Sequence, residues 1–259
     1  MSFETLLLDR VDGVVTLTLN RPERKNAVNG QMWTELLAVF REVAGSGDDR
    51  VVVITGAGGD FCSGADVSGD DQRSRPHHLG EMRHVNDVAL ALYRLPQPTI
   101  AKVRGVAVGA GLNMALLCDL VVADSTARFS EIFARRGLSI DFGGSWALPR
   151  RVGLHRAKEL ALLAEIIDAA AAERLGLVNR VVPDGELDSF VDDWARRLVA
   201  GPPIALAQTK RLLNVGVAST LEQALDEEGA AQAINLVTAD VSEAMRAFRE
   251  KRQPRFEGR

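Results

Sequence analysis

Apolar and polar residues alternate over two short stretches near the start of the chain, residues 5–9 and 14–19. A period of two is typical of a half-buried strand, and the dipeptide Asp12-Gly13 between the two runs favours a tight turn. The polar residues and the proline at 20–22 end the second run. The pattern therefore predicts an N-terminal β-hairpin.

Further along the chain, the apolar spacing switches repeatedly between that of a strand and that of a helix. Continuous apolar runs, typical of fully buried strands, cover residues 51–55 and 99–108, and helical spacing covers 30–44 and 81–95. The remaining elements are predicted as a helix after 108, strands at 120–124 and 177–183, a helix at 155–164, a helix capped by Asp168, an irregular segment at 127–150 and a mobile surface loop at 68–80.

The sequence beyond residue 187 predicts helices alone, with breaks at 201–203 and near 216. Strands that alternate with helices and are then followed by helices only indicate an α/β core with a helical appendage. We therefore predict an α/β fold, with its core over residues 1–200 and a helical C-terminal part over residues 201–259.

Composition and charge narrow the classes of function. The 259 residues are 46% apolar and 25% charged, which is ordinary for a soluble globular protein. The formal net charge is −4, so the chain lacks the basic balance typical of proteins that bind nucleic acid or anionic lipid. It has neither a recognisable signal peptide nor an apolar stretch long enough to span a membrane. We expect a cytoplasmic protein without nucleic-acid or membrane partners.

Cysteine and histidine usage argues against disulfide and metal chemistry. The two cysteines, Cys62 and Cys118, lie far apart in the sequence, and we predict two buried thiols in a reducing compartment. His77 and His78 are adjacent in a polar loop, without a cysteine or a second histidine pair at ligand spacing. We therefore expect no metal site.

The junction at residues 105–120, GVAVGAGLNMALLCDL, is the first candidate for chemistry. An apolar strand runs into Gly109, Ala110 and Gly111, and an apolar helix follows. The N–H groups of a helix's first turn have no partner inside the helix, and small residues let a ligand approach the backbone. The junction therefore either presents backbone donors to a negative oxygen or is a tight turn inside the core, because glycine-rich turns alone do not distinguish these possibilities.

Two further segments are candidates for chemistry, FCSGAD at 61–66 and GLSIDFGGSWALPR at 137–150. Together with the junction, their order and spacing resemble those of the crotonase superfamily, the enoyl-CoA hydratases and isomerases. The resemblance extends over nearly the whole chain through LTLNRPERKNAVN at 17–29, LGLVNRVVP at 175–183 and FREKRQPRFEGR at 248–259. It implies a crotonase-like ββα superhelix core with a C-terminal helical region that forms trimers or dimers of trimers. It also implies an acyl-CoA substrate, with coenzyme A as part of that substrate and no separate cofactor.

The resemblance implies that two backbone N–H groups, those of Ala65 and Ala110, bind the thioester oxygen of the acyl-CoA. The α-carbon of a thioester becomes acidic only when the developing enolate oxygen is stabilised, and two preorganised amides supply that stabilisation. Such an oxyanion hole depends on backbone groups, which agrees with the small residues at both positions.

The sequence departs from the hydratases of the family at two positions. Those enzymes carry two glutamates, which would fall at Asn113 and Phe133 here. Neither residue is an acid, and the addition of water needs proton transfer at both ends of the double bond. The resemblance therefore favours the isomerases of the family, including those that act on a ring epoxide of phenylacetyl-CoA, which have an asparagine on the central helix and an aspartate before a glycine pair.

Asp141 is the carboxylate that this resemblance implies as a single proton shuttle. We expect its neighbours Ile140, Phe142 and Trp146 to desolvate the carboxyl and raise its pKa. Considered without the family, Asp141 is instead a candidate cap of the helix that follows it. Glu131 offers a second alternative, because a shifted alignment would make it a second acid and restore hydratase chemistry. A third alternative is an acyl-CoA-binding protein without catalytic activity.

The remaining site residues are implied by the family's pattern. Asp66 is expected to brace its loop, and Phe133 and Leu138, with Phe142 and Trp146, suggest an apolar acyl pocket. Lys251, near the end of the chain, is expected to contact a phosphate, either in its own subunit or in a neighbouring one. The expected substrate-binding and CoA-binding residues are Lys25, Ala27, Gly64, Asp66, Val67, Gly109, Asn113, Phe133, Leu138 and Lys251.

Overall fold

The computed structural model describes residues 3–68 and 78–259, so most of the loop predicted at 68–80 lies outside the described residues. The strands are β1 Leu6–Val11, β2 Val14–Leu19, β3 Val51–Gly56, β4 Thr99–Val103, β5 Val106–Val108, β6 Leu120–Asp124, β7 Arg128–Ser130, β8 Ile167–Asp168 and β9 Arg180–Val182. The helices are α1 Gly30–Ala44, α2 His78–Tyr93, α3 Ala110–Leu117, α4 Gly144–Leu163, α5 Ala169–Arg174, α6 Leu187–Val199, α7 Pro203–Gly216, α8 Leu221–Leu236 and α9 Ala239–Glu250.

The described strands form two sheets, with strand orders β1-β2-β3-β4-β6-β9 and β5-β7-β8. The predicted hairpin is confirmed, since β1 and β2 are antiparallel and Leu6 pairs with Leu19. All other neighbours in the larger sheet run parallel. The α/β class followed by C-terminal helices is therefore confirmed.

The predicted continuous strand at 99–108 is wrong. The structure divides it into β4 and β5, which belong to different sheets. Gly105 lies between them with φ +52°, and a Cβ at this position would collide with the carbonyl oxygen of Gly59. The chain therefore turns at Gly105, and β5 leads directly to α3.

The predicted irregular segment at 127–150 is also wrong in part. It contains β7, a 3₁₀ turn at Ile132–Arg136 and the first part of α4. The helix predicted at 155–164 thus begins earlier, at Gly144, and is interrupted at Gly153, whose φ of +76° is not helical. The interruption explains why the helical pattern is visible only in the second half of α4.

Apolar residues cover both faces of the larger sheet. Val52 and Ile54 of β3 pack into the main core with α1, α2 and α3, while Val51 and Val53 face the other way, towards α6. The helix α3 is buried along its whole length, so the junction at residues 105–120 lies inside the core of the fold. Cys62 and Cys118 are free and buried, as predicted.

Residues 201–259 are helical in α7, α8 and α9, and they expose several large apolar side chains, namely Leu213, Leu221, Leu236, Val237 and Phe248. Such exposure is compatible with association between subunits, and the trimer stays a prediction. In the described part of the chain, none of the helices combines the length and the apolar character needed to cross a membrane.

Candidate active site

The predicted segments converge on a cavity of about 450 Å³. Its wall combines the segment that follows Phe61, the junction of β5 with α3, and the segment between β7 and α4. The described lining residues are Arg24, Ala27, Ser63, Gly64, Ala65, Asp66, Val67, Ser68, Val106, Val108, Gly109, Ala110, Ile132, Phe133, Arg136, Leu138, Asp141 and Ile166.

The backbone N–H of Ala65 is left free by the way its segment pairs with Val28. The Val28 N–H donates to the Gly64 carbonyl over 2.8 Å, and the Asp66 N–H donates to the Val28 carbonyl over 2.9 Å. In this parallel bridge, the Gly64 carbonyl and the Asp66 N–H form the hydrogen bonds with Val28. The N–H of Ala65, which lies between them, therefore points away from Val28. Within residues 3–68 and 78–259, no acceptor bonds this N–H.

The backbone N–H of Ala110 is free because α3 begins there. The first hydrogen bond of the helix runs from the Asn113 N–H to the Gly109 carbonyl, over 3.0 Å. The Ala110 N–H therefore has no acceptor inside the helix, and no other described residue supplies one. The cavity thus receives two backbone donors, one of which carries the partial positive charge of a helix N-terminus.

Close backbone packing brings these two donors together. Gly64 has φ +97°, and a Cβ there would lie 3.0 Å from the Val108 carbonyl oxygen and 3.6 Å from the Ala110 nitrogen. A Cβ at Gly111 would collide with the carbonyl oxygen of Cys62. The sequence uses glycine at 64 and 111 because these positions leave no room for a side chain.

Asp66 braces the same segment, as predicted. Its carboxylate accepts a hydrogen bond from the Arg21 guanidinium over 2.8 Å, and the same Arg21 nitrogen donates to the Ala27 carbonyl over 2.6 Å. Although burial opposes ionisation, the bonds from Ser68 and Arg21 lower the pKa of Asp66 to about 2. Asp66 is therefore ionised at neutral pH and holds two cavity segments together.

Asp141 supplies an acid to the cavity wall, and its side chain does not cap α4. The N-cap of α4 is Gly143, and only the backbone carbonyl of Asp141 takes part, accepting from the Gly144 N–H over 2.9 Å. The buried Oδ1 atom of Asp141 has no hydrogen-bond partner in the described residues. Burial raises the pKa of Asp141 to about 6, in the direction that the sequence predicts.

Asn113 and Glu131 lie behind the cavity wall, outside its lining. Both side chains are buried, with exposures of 0% and 1%. The Asn113 Nδ2 donates to the Asp141 backbone carbonyl over 3.0 Å and lies 3.4 Å from the Glu131 Oε2. Glu131 is therefore not placed at the cavity as the second acid that a shifted alignment would require.

Most of the remaining predicted residues line the cavity. Ala27, Val67, Gly109, Phe133 and Leu138 all do so. Phe142 instead packs into the core against Trp33, with ring centroids 5.2 Å apart. Trp146, in α4, packs edge-on against Tyr93 of α2. Neither Phe142 nor Trp146 belongs to the described lining.

The structure does not bring the two predicted lysines into the described lining. Lys25 is 61% exposed and forms an ion pair with Asp60 at 3.6 Å. Lys251 is an exposed residue that ends α9 in a left-handed conformation. Long side chains at the surface are not oriented by local sequence, so their direction could not be predicted.

Eight of the described lining residues were not among the predicted site residues, namely Arg24, Ser63, Ser68, Val106, Val108, Ile132, Arg136 and Ile166. Arg24 and Arg136 add positive charge to the wall, and Ile132 and Ile166 add apolar surface. Arg24 is adjacent to Lys25 in the predicted CoA-binding segment, which was an available signal. Ile166 directly precedes β8, and no local signal connects it with the cavity. In the part of the chain described, no group of three or more His, Cys, Asp or Glu residues is placed to hold a metal ion.

Comparisons with known proteins identify the family of the chain. The family model described as enoyl-CoA hydratase/isomerase matches residues 9–259. A protein of Rhodobacter capsulatus named "Probable enoyl-CoA hydratase" is 39% identical over 100% of both chains. The 1,2-epoxyphenylacetyl-CoA isomerase of Escherichia coli is 38% identical over 95% of this chain and 96% of its own.

The same relationship is found among solved structures. A Thermobifida fusca protein described as an enoyl-CoA hydratase in complex with CoA superposes with a TM-score of 0.83 at 37% identity, over 90% of this chain and 93% of its own. The chain belongs to the enoyl-CoA hydratase/isomerase family. The crotonase-type fold predicted from the sequence is thereby confirmed.

Proposed function

We propose that the chain is an enoyl-CoA isomerase that moves a carbon–carbon double bond of an acyl-CoA through a thioester enolate. The observation that carries this proposal is the desolvated carboxyl of Asp141 in the same cavity as two backbone donors, where neither the Asp141 Oδ1 nor either donor has a hydrogen-bond partner among the described residues. Both positions at which the family's hydratases have glutamates are without an acid, since they hold Asn113 and Phe133. One acid is sufficient for isomerisation, whereas hydration needs proton transfer at both ends of the double bond.

The N–H groups of Ala65 and Ala110 act as the oxyanion hole in this proposal. When the α C–H bond of a 3-enoyl-CoA breaks, its electron pair moves towards the thioester carbonyl, and negative charge develops on the carbonyl oxygen. Two donors fixed by the backbone stabilise that charge without reorganisation. The packing at Gly64 and Gly111 supports their preorganisation.

Asp141 moves the proton. Its carboxylate takes the proton from the α-carbon, and the resulting dienolate takes it back at the γ-carbon. The carbonyl then re-forms, and the double bond has moved from the β,γ to the α,β position with no net gain or loss of atoms. A base whose pKa is near 6 accepts and returns a proton more evenly at neutral pH than one at the usual value of 3.8.

Coenzyme A is part of the substrate in this proposal, and no separate cofactor is required. The solved relative from Thermobifida fusca in complex with CoA supports an acyl-CoA ligand. The apolar side chains of Ile132, Phe133 and Leu138 are suited to the acyl chain, and the exposed residues Arg24 and Arg136 of the lining are suited to phosphate oxygens. A cytoplasmic location and assembly into trimers or hexamers remain part of the proposal.

The test is a spectroscopic assay with a 3-enoyl-CoA, in which the absorbance of the conjugated thioester appears as the double bond moves. Asp141→Asn removes the base and keeps the shape, and we expect it to lower kcat by about 10² to 10⁴. Asp192→Asn, at an exposed position of α6, is the matched control and should keep the wild-type rate. Equal rates in Asp141→Asn and the wild type would exclude Asp141 as the shuttle.

The pH dependence of the same assay reports the protonation of Asp141. The base must be ionised, and its pKa is raised to about 6, so kcat/KM should fall about tenfold per pH unit below pH 6 and level off above it. An acidic limb near pH 4 would mean that the reacting carboxyl is not desolvated.

Two other outcomes correspond to the alternative functions. Loss of the 2-enoyl-CoA absorbance, without reaction of the 3-enoyl-CoA, would identify a hydratase. Tight acyl-CoA binding, with no exchange of solvent deuterium into the α- or γ-carbon, would identify a binding protein without catalytic activity. Either result would overturn the proposed isomerase.

A further inference from the structure

The buried Asn113–Glu131 pair has no part in the proton transfer described above. The Asn113 Nδ2 lies 3.4 Å from the Glu131 Oε2. The same nitrogen donates to the Asp141 backbone carbonyl over 3.0 Å. One buried amide thus connects Glu131 with the main chain of the proposed shuttle.

Two oxygen atoms of this pair are left without donors. The Asn113 Oδ1 and the Glu131 Oε1 are both buried and have no hydrogen-bond partner in the described residues. An ionised glutamate has only acceptors, and an amide oxygen is also an acceptor, so neither atom can bond the other while Glu131 is charged. Leaving two buried acceptors unpaired is costly.

One proton on Glu131 would resolve the mismatch. A carboxylic acid protonated at Oε1 can donate to the Asn113 Oδ1, while the Asn113 Nδ2 donates towards Oε2. The acid and the amide would then form a reciprocal two-bond pair that gives both oxygens a partner.

We infer that Glu131 is a neutral carboxylic acid that pairs with Asn113 and thereby positions Asp141. Glu131 is a positioning residue here, since it lies outside the cavity lining and acts through Asn113. The inference deepens the proposed function and rests on it for the role of Asp141. The protonation state of the pair can be tested independently of any reaction.

The contacts around the Asp141 carbonyl show how this positioning works. The carbonyl accepts from the Asn113 amide over 3.0 Å and from the Gly144 N–H over 2.9 Å. A Cβ at Gly144 would collide with the Asn113 amide, so glycine is what allows the amide to approach. The backbone at Asp141 is fixed on two sides, which limits the directions that its carboxyl can take.

Electrostatics favours the same protonation state. Burial raises the pKa of Glu131 to about 8, the charge of Asp141 acts in the same direction, and the Asn113 bond opposes them. Glu131 therefore remains protonated at neutral pH, and Asp141 is the ionised member of the two carboxyls. Ionisation of Glu131 would place a second negative charge beside the base.

The first test compares the unfolding of the wild type with that of Glu131→Gln as a function of pH. The folded protein holds the proton up to about pH 8, whereas the unfolded chain releases it near 4.5. The ratio of the wild-type unfolding constant to that of the variant should therefore rise up to about tenfold per pH unit between these values and then level off. A constant ratio over this range would show that Glu131 is ionised in the folded protein and overturn the inference.

A second measurement needs no variant. Infrared spectroscopy of the wild-type protein should show a protonated-carboxyl C=O band at pH 7 that disappears above pH 8. Absence of that band at pH 7 would overturn the inference, even if Glu131→Gln does not fold.

The positioning role is tested by kinetics on two variants. Glu131→Ala removes both hydrogen bonds, and we expect it to lower kcat with 3-enoyl-CoA about tenfold or more. Glu131→Gln can still donate and accept towards Asn113, so it should recover most of that loss. If Gln were as impaired as Ala while both variants remained folded, the charge or the proton of Glu131 would be required, and the neutral positioning role would be wrong.

Discussion

The two sides of the cavity are built from different kinds of groups. The amide side, residues 62–66 and 108–111, presents main-chain N–H groups held by main-chain bonds and by close glycine packing. The acid side consists of the Asp141 side chain in the cavity wall and of Asn113 and Glu131 buried behind it, each with a buried oxygen that has no partner in the described residues.

This difference determines what each side tolerates. A backbone donor does not depend on the identity of its side chain, so the amide side is vulnerable to added volume. A buried acid depends on its particular functional group and on the partners that orient it, so the acid side is vulnerable to chemical change. A glycine-to-alanine substitution adds one methyl group, and making this change on each side in turn tests the two kinds of sensitivity separately.

Gly111→Ala should have the largest effect among the glycine substitutions. Its backbone is helical, so the expected cost is steric and comes from the collision with the Cys62 carbonyl. Either α3 or the segment around Cys62 must move, which separates the two amide donors. We expect kcat/KM to fall about 10² to 10³, as when an oxyanion-hole donor is lost. We also expect a loss of roughly 1–3 kcal/mol in the free energy of unfolding.

Gly229→Ala is the matched control for this substitution. It also lies within a helix, α8, and a Cβ there meets nothing within 4 Å. We expect wild-type activity and unchanged or slightly higher stability. Wild-type kinetics in Gly111→Ala would show that the spacing of the two amides is not critical, and would contradict the oxyanion hole.

Gly144→Ala applies the same change to the acid side. The added methyl group collides with the Asn113 amide, which must turn away from the Asp141 carbonyl. We expect kcat to fall about 10- to 100-fold, because small displacements of a reacting group are costly. Binding of a saturated acyl-CoA, measured by calorimetry, should change less than in Gly111→Ala, since the amide donors are untouched. Equal losses of binding in both variants would contradict the division into two sides.

The two donors of the amide side were predicted by different routes. The local pattern indicated unpaired N–H groups where α3 begins, at Ala110, but left a tight turn inside the core as an alternative. The N–H of Ala65 was implied by the family resemblance alone, because it is left free by the bridge with Val28, which is a tertiary contact. The fold class was more accessible, since strand and helix periods are local properties of the chain.

The acid side could be predicted only in part. Asp141 was identified by resemblance, but local sequence favoured a capping role that its side chain does not have. The contact between Asn113 and Glu131 joins residues 18 positions apart and depends on tertiary packing, which no local pattern reveals. The position of Ile166 in the lining and the ion pair of Lys25 with Asp60 also depend on tertiary packing, so the local sequence did not predict them.

Arg21→Met is expected to have the smallest effect and tests whether the amide side depends on one side-chain brace. The substitution removes the bonds to Asp66 and to the Ala27 carbonyl while it keeps an apolar stem. We expect KM for acyl-CoA to rise about three- to tenfold, equivalent to roughly 0.6–1.4 kcal/mol, with kcat less affected. Arg156→Met, which breaks an exposed ion pair with Glu159, is the control and should leave KM unchanged.

The pH dependence of Arg21→Met identifies the interaction responsible. Because the pKa of Asp66 is lowered to about 2 in the folded protein, its stabilisation is present above the ordinary value of 3.8 and is lost as pH falls towards 2. The difference in free energy of unfolding between wild type and Arg21→Met should therefore be larger at pH 7 than at pH 3, as measured by urea denaturation. The same difference at both pH values would assign the effect of Arg21 to the uncharged Ala27 carbonyl instead of the Asp66 carboxylate.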